Sequence, residues 1–296
     1  MRAEIERKRR PRLRRVSDPP TMALTARDRG IVLAVYHHRF LRRDQIAALF
    51  FPASAGARAE VLVSSCNARL QRLFQHGYLS RVMPAAPDGS TQAVYALDRR
   101  GAQLVAEITG VDFASLRWSP KRRRSETYFR EHTLAINDLW VSFEVAARVR
   151  PEVAIIDWQM DGPELWETVE DQAARRGRLP LRPDAYLELE ARGRRAHFFV
   201  EVDRGTMTNR RFAEKVRAYR IYWKTGRFRE RLDASSFRVL VTAPGPRRRE
   251  NLRRTAAKLG AQRMFLFAVQ AEASGGRAFE PVWLPAVGER PVALER

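Results

Sequence analysis

Along the first third of the chain the apolar residues recur with the period of a helix. Ile31, Val32, Val35 and Tyr36 follow Thr25, whose hydroxyl suits an N-cap, and the pattern breaks at Arg39-Phe40. Residues 43–51 predict a second, short helix with Ile46, Leu49 and Phe50 inward. After a Pro, Ala, Ser and Gly stretch at 52–56, a longer helix runs to about Gln75 and stops at Gly77. Its Leu62, Cys66, Leu70 and Leu73 share one face. Residues 78–82 and 93–97 predict two strands joined across 85–92, where Asp88-Gly89 is a turn signal, and 100–108 predicts a further helix.

Three helices followed by a hairpin is the order of a winged helix-turn-helix. With its apolar stripe buried, the third helix turns Ser64, Ser65, Asn67, Ala68, Gln71 and Arg72 outward. Short hydroxyls, amides and a guanidinium are side chains that a DNA major groove accepts. The hairpin tip at Asp88, Gly89, Ser90 and Gln92 is then the wing, with Arg81 at its base. An ordinary three-helix domain making protein contacts would carry the same polar face, so both readings stay open.

The second half alternates differently. A long helix at 126–148 precedes a strand at 153–159, then a helix or irregular excursion at 164–175, two strands at 184–191 and 196–203, and a helix at 208–224. A strand at 237–242, a helix at 247–259 and a strand at 264–269 complete an α/β domain with a mixed central sheet. Residues 271–296 read as a trailing segment in which Trp283 docks back. The expected organisation is a basic disordered arm at 1–23, the winged helix at 24–110, a basic linker at 111–124, the α/β domain at 125–270 and the tail. The linker ends in Lys121, Arg122, Arg123 and Arg124, which suit either a solvated hinge or a DNA backbone contact.

The sharpest binary pattern lies in the paired strands. Ala185, Leu187 and Leu189 alternate with Asp184, Tyr186 and Glu188, and Phe198, Val200 and Val202 alternate with Phe199, Glu201 and Asp203. A four-residue turn at 192–195 would pair Ala191 with Ala196, set Asp184 opposite Asp203, and set Tyr186 opposite Glu201. Three carboxylates would then converge, which like charges tolerate only with a cation among them. Hard oxygen ligands suit Mg²⁺ or Mn²⁺, ions that activate water and stabilise a phosphoryl transition state. On the next helix, Phe212, Val216, Tyr219 and Trp223 form the inward stripe, and Lys215 flanks it, either aimed at the carboxylates or solvated. Glu131 and Asp138 are further acidic candidates, while His132 aligns with Ile136, Leu139 and Phe143 as a core histidine.

Charge narrows the class of partner. The 296 residues hold 55 Lys plus Arg against 34 Asp plus Glu, a net charge of +21, which is the footprint of a chain that meets phosphate. Eight basic residues fall within the first 15: Arg2, Arg7, Lys8, Arg9, Arg10, Arg12, Arg14 and Arg15. No apolar run reaches the length of a spanning helix, and no signal peptide or lipidation motif appears. A cytoplasmic protein associated with the nucleoid or a plasmid, with no membrane partner, is expected. One cysteine, Cys66, excludes an internal disulfide, and the five histidines lack zinc-ligand spacing.

Pro183-Asp184, a hairpin and Glu201-Val202-Asp203 resemble the core of the PD-(D/E)XK nucleases. Where that pattern has a lysine two residues after the glutamate, this chain has Asp203, so Lys215 would have to serve from the helix, or the site does not cut. A narrower resemblance rests on four stretches: 24–28 (Leu-Thr-Ala-Arg-Asp), 131–138 (Glu-His-Thr-Leu-Ala-Ile-Asn-Asp), 182–185 (Arg-Pro-Asp-Ala) and 199–206 (Phe-Val-Glu-Val-Asp-Arg-Gly-Thr). Together they resemble the replication-relaxation family of bacterial plasmids and mobile elements. That resemblance implies binding to double-stranded DNA in replication, maintenance or transfer. The competing reading is a Mg²⁺-dependent endonuclease or nickase that uses Asp184, Glu201 and Asp203 as ligands with Lys215 assisting. A third is an adaptor for a relaxase or replication initiator. Winged helices often dimerise on symmetric sites, which makes a homodimer an expectation to test.

Overall fold

The computed structural model describes residues 14–52, 59–83, 92–116, 118, 127–160, 162–174 and 177–294. The chain divides into two compact units, Met1–Leu134 and Ala135–Arg296. The hairpin tip at 84–91 and the basic run at Arg122, Arg123 and Arg124 lie outside the described residues, as do residues 1–13. Among the described residues, no helix is long and apolar enough to cross a membrane.

The first unit contains α1 (Ala26–His37), β1 (Phe40–Arg42), α2 (Arg43–Phe50), α3 (Ala59–Gln75), β2 (Leu79–Val82), β3 (Val94–Leu97) and α4 (Arg99–Thr109). Thr25 caps α1 in a reciprocal box. Its backbone N–H donates to Asp28 Oδ2 at 2.6 Å, and the Asp28 N–H donates to Thr25 Oγ1 at 3.3 Å. Asp28 is buried and also accepts from Arg69 of α3, whose guanidinium donates to the Ala23 carbonyl at 2.9 Å. Burial alone would raise the Asp28 carboxyl, but hydrogen bonds from Arg69 and Thr25 outweigh it and hold the group below its ordinary value. Cys66, Leu70 and Leu73 of α3 are fully buried, while Leu62 is half-buried. Gly77, at φ +75°, ends the helix, and its own N–H and that of Tyr78 close back on the carbonyls of Phe74 and Leu73.

The periodicity does not reveal β1, because three residues are too few to show a period. It pairs with β3 and makes a three-stranded antiparallel sheet in the order β1-β3-β2. Residues 14–20 also depart from the expected disordered arm. Arg15 donates to the Phe74 carbonyl at 2.7 Å and to the Leu79 carbonyl at 3.1 Å, and it pairs with Asp98. The Val16 N–H donates to Gln75 at 2.8 Å, and His76 bonds the Pro20 carbonyl at 2.9 Å. These bonds fasten the segment to the last turn of α3 and the loop that follows.

The second unit is α+β around a mixed six-stranded sheet. After the last turns of α5 (Thr127–Ala147) come β4 (Val153–Met160), β5 (Glu167–Glu170), β6 (Arg178–Leu181), β7 (Ala185–Ala191), β8 (Arg194–Val202), α6 (Asn209–Thr225) and α7 (Phe228–Leu232). Then follow β9 (Arg238–Ala243), α8 (Pro246–Lys258), β10 (Phe265–Val269), α9 (Gln270–Ala273) and β11 (Leu284–Pro285). The strand order is β11-β10-β9-β8-β7-β4; β8, β9 and β10 run parallel and the other pairs antiparallel. Ala185, Leu187, Leu189, Phe198, Val200 and Val202 pack with Ile136, Leu139 and Phe143 of α5. Tyr186 and Phe199, on the opposite face, pack with Phe212, Val216, Tyr219 and Tyr222 of α6. The sheet is therefore covered on both sides.

Four local expectations change. The turn between β7 and β8 has two residues: Arg192 and Gly193 both take positive φ (52° and 73°), and Ala191 pairs with Arg194. The register therefore shifts by two residues, with Tyr186 opposite Phe199, but an even shift leaves every side chain on its expected face. Residues 164–174 form no α-helix: a short 3₁₀ turn at Pro163–Leu165 leads into β5 of the β5–β6 hairpin. On α6, Tyr222 is buried and Trp223 is exposed. His132 is half-buried, its ring stacked over Tyr128 at 6.5 Å. Trp283 does dock: it is fully buried, and its indole N–H donates to the Ala278 carbonyl at 2.8 Å.

Candidate functional site

The end of the β7–β8 hairpin carries the carboxylates. The last paired residues are Ala185 and Val200, so one further step sets Asp184 level with Glu201 rather than with Asp203. The Asp184 N–H donates to the Val200 carbonyl at 3.0 Å, and its Oδ2 accepts from the Val202 N–H at 2.7 Å. Helix α6 starts behind Thr208, whose hydroxyl accepts from the Arg211 N–H at 3.2 Å, and its second turn brings Lys215 to Glu201. Glu201 is buried; Lys215 Nζ donates to its Oε2, and Tyr219 donates to its Oε1 at 2.8 Å. Lys215 Nζ also donates to the Arg182 carbonyl at 3.3 Å.

Burial pushes the Glu201 carboxyl up to about 7, and the nearby Asp184 charge pushes the same way against Lys215 and Tyr219. For Lys215, burial favours the neutral amine, but Glu201 and Asp184 overcome it and raise the group above its ordinary value. Burial and the Glu201 charge also drive the Tyr219 phenol well up, so it stays a proton donor. The cluster holds one ammonium, one phenol and two carboxyl groups, one of which exchanges its proton near neutrality.

Asp203 leaves this cluster. Arg248, in the first turn of α8, grips it with Nη2 at 2.6 Å from Oδ2 and Nε at 3.3 Å from Oδ1. The same guanidinium donates to Asn209 Oδ1 at 2.7 Å and to the Met207 carbonyl at 2.5 Å, and the Gly205 N–H also donates to Asp203. Asp203 thereby joins the end of β8 to the starts of α6 and α8. Among the described residues, no group of three His, Cys, Asp or Glu side chains gathers as a metal cage would. Both Glu201 oxygens are taken, by Lys215 and Tyr219, and Asp184 Oδ2 accepts from the Val202 N–H. Helix periodicity placed Lys215 and Tyr219 near the inward stripe. Nothing in the pattern marked Arg248 as the partner of Asp203, because that pairing joins residues 45 positions apart.

On α3, Ser64, Ser65, Asn67, Ala68 and Arg72 are exposed together, and Gln71 is half-buried. Gln71 accepts from Arg81 at 2.8 Å, and the Arg81 guanidinium lies 4.5 Å from the Phe74 ring centroid. These two expected DNA contacts thus bond to each other, while Ser64, Ser65, Asn67 and Arg72 stand free of that pair. Both units are basic: residues 1–134 hold 25 Lys plus Arg against 12 Asp plus Glu, and residues 135–296 hold 30 against 22. The excess in the second unit includes Arg204, Arg210 and Arg211 between the carboxylates and the second turn of α6.

The model of one family, described as replication-relaxation, matches residues 33–234 and so takes in α3, the carboxylates and Lys215. No curated protein and no solved structure matches the chain significantly.

Proposed function

The chain belongs to the replication-relaxation family, and on that premise we propose that it is a DNA-binding protein acting in replication, maintenance or transfer of a plasmid or other mobile element. The observation that carries this reading is the outer face of α3. Its inner stripe is spent on the core, and its outer face offers Ser64, Ser65, Asn67 and Arg72 within a unit whose net charge is +13. In this reading the first unit is a winged helix with α3 in the major groove of double-stranded DNA, and Arg122, Arg123 and Arg124 neutralise phosphates. Binding measured by fluorescence anisotropy on a duplex should weaken steeply and log-linearly with salt. Absent or salt-insensitive binding overturns the proposal.

The Lys215–Glu201 contact supports a second reading, a Mg²⁺- or Mn²⁺-dependent DNA endonuclease or nickase. A lysine from α6 reaches Glu201, where the nuclease pattern would put one at position 203. Asp184 and Glu201 would hold the ion, which when bound supplies Lewis acidity and a nucleophilic water. Lys215 keeps a positive charge beside Glu201, where a phosphate would gather negative charge, and Tyr219 orients the Glu201 carboxylate. Asp203, committed to Arg248, plays a structural part. Incubation with supercoiled plasmid and Mg²⁺, Mn²⁺ or EDTA tests this: nicking that needs metal and disappears in Asp184→Ala supports it, and a mobility shift without nicking rejects it. Recovery of a relaxase or replication initiator with the chain from a plasmid-bearing host would mark an adaptor role, and sedimentation on a palindromic duplex would show whether it binds as a homodimer.

A further inference from the structure

The β5–β6 hairpin presents a feature that neither the carboxylate cluster nor α3 explains. Its ladder pairs Glu167 with Leu181, so the next step outward places Trp166 across from Arg182. The inward positions, Leu165, Val169, Leu179 and Leu181, are buried in the core. Trp166 and Arg182 are left outside: the indole is 39% exposed, and the guanidinium lies 4.6 Å from its ring centroid. Arg182 also borders the cluster, because its carbonyl accepts from Lys215 and Asp184 follows two residues later. The acidic neighbour Glu167 is neutralised by Arg227 at 2.9 Å and Arg231 at 3.1 Å. The Trp166–Arg182 platform therefore adjoins the Lys215–Glu201 contact through the Arg182 backbone, with Arg211 exposed near Lys215.

We infer that this platform binds an unpaired base of single-stranded DNA and that the adjoining cations hold its phosphates, which sets the strand beside Asp184 and Glu201. Stacking on an aromatic ring backed by Arg is sequence-tolerant, since every base has a π-face. A duplex keeps its bases stacked on one another and cannot use such a platform. The inference rests on the DNA-binding reading above and adds that an opened strand, rather than duplex alone, meets the second unit.

The test measures anisotropy of the full chain with a fluorescein-labelled 20-mer of oligo(dT), an abasic strand of the same length, and a duplex, for wild type, Trp166→Ala and Trp166→Phe. The expected result is an approximately 10-fold weaker affinity of Trp166→Ala for oligo(dT), from the loss of one stacked base. Its affinity for the abasic strand and the duplex should stay within about twofold of wild type, and Trp166→Phe should recover most of the loss. Because Trp166 is exposed, the variants should fold, and circular dichroism checks this. Equal loss on all three probes, or no loss on oligo(dT), overturns the inference. Wild type that binds duplex but not oligo(dT) overturns it while leaving the duplex reading intact, and wild type that binds no probe overturns both.

Discussion

Replacing Glu201 by Gln removes one proton-binding group from the second unit and should abolish part of its pH dependence. Burial, reinforced by Asp184, holds the carboxyl up at about 7, against 4.5 for an unburied glutamate, so the folded chain binds this proton more tightly than the unfolded chain does. A raised pKa contributes stability that is complete below pH 4.5 and is lost as the pH rises through 7. At about 1.4 kcal/mol per pH unit, wild type loses roughly 3 kcal/mol through this group, most of it between pH 5 and 8, and Glu201→Gln loses none of it. The amide still accepts from Tyr219, and in wild type the Glu201 and Asp184 charges hold Lys215 above the ordinary lysine value, whereas in Glu201→Gln only Asp184 is left to oppose its burial. Urea denaturation at pH 5 and pH 8 reads the difference. Tryptophan fluorescence suits it, since Trp140, Trp158, Trp166, Trp223 and Trp283, five of the six tryptophans, lie in the second unit. Parallel pH dependence in the two proteins would refute the argument. A wild type that gains stability over Glu201→Gln as the pH rises would show that Lys215, not burial, governs the carboxyl.

Arg248→Met should destabilise the second unit by about 3 kcal/mol, because it leaves the buried Asp203 without its counter-charge; Arg248→Met with Asp203→Asn should recover most of that in the same urea assay. Asp28→Asn should cost the first unit about 3 kcal/mol at pH 7 by unpairing Arg69. Since the folded Asp28 titrates below its ordinary 3.8, that cost should shrink as the pH falls through the folded value, which urea denaturation followed by far-ultraviolet dichroism would detect. Arg72→Ala should weaken duplex binding across sequences and lower the salt slope by about one. Arg81→Ala should instead cost about 1–2 kcal/mol of stability through Gln71 and Phe74, with little change in DNA affinity. Anisotropy titrations over a salt series, paired with melting curves, separate the two.

The apolar period of the chain determined most of its elements. Leu70 and Leu73 bury α3, Phe212 and Val216 bury α6, and the alternation at 185–189 and 198–202 set which face of the hairpin meets α5. These are local properties: a repeat of three to four residues, or of two, allows only one way to bury the apolar side. The sequence placed Lys215 on a flank of the α6 stripe but left open whether it meets the carboxylates or solvent, which the structure resolved as a contact with Glu201. What it left open were matters of partner and level. The choice of a two-residue over a four-residue turn depends on whether Arg192 accepts a left-handed conformation, and that choice set Asp184 beside Glu201 instead of Asp203. The β5–β6 hairpin escaped notice because Glu167 and Glu170 bracket β5 and Pro180 sits inside β6, where a proline argues against a strand. Tyr222 displaced Trp223 from the core because Phe228 and Phe237 stack against it, which no window along α6 contains. Asp203 and Glu201 lie two residues apart on one strand with the same chemistry, yet one meets Arg248 and the other meets Lys215 and Tyr219. Which cation a buried carboxylate finds is decided by the helices folded over it, because only burial makes the search for a counter-charge compulsory.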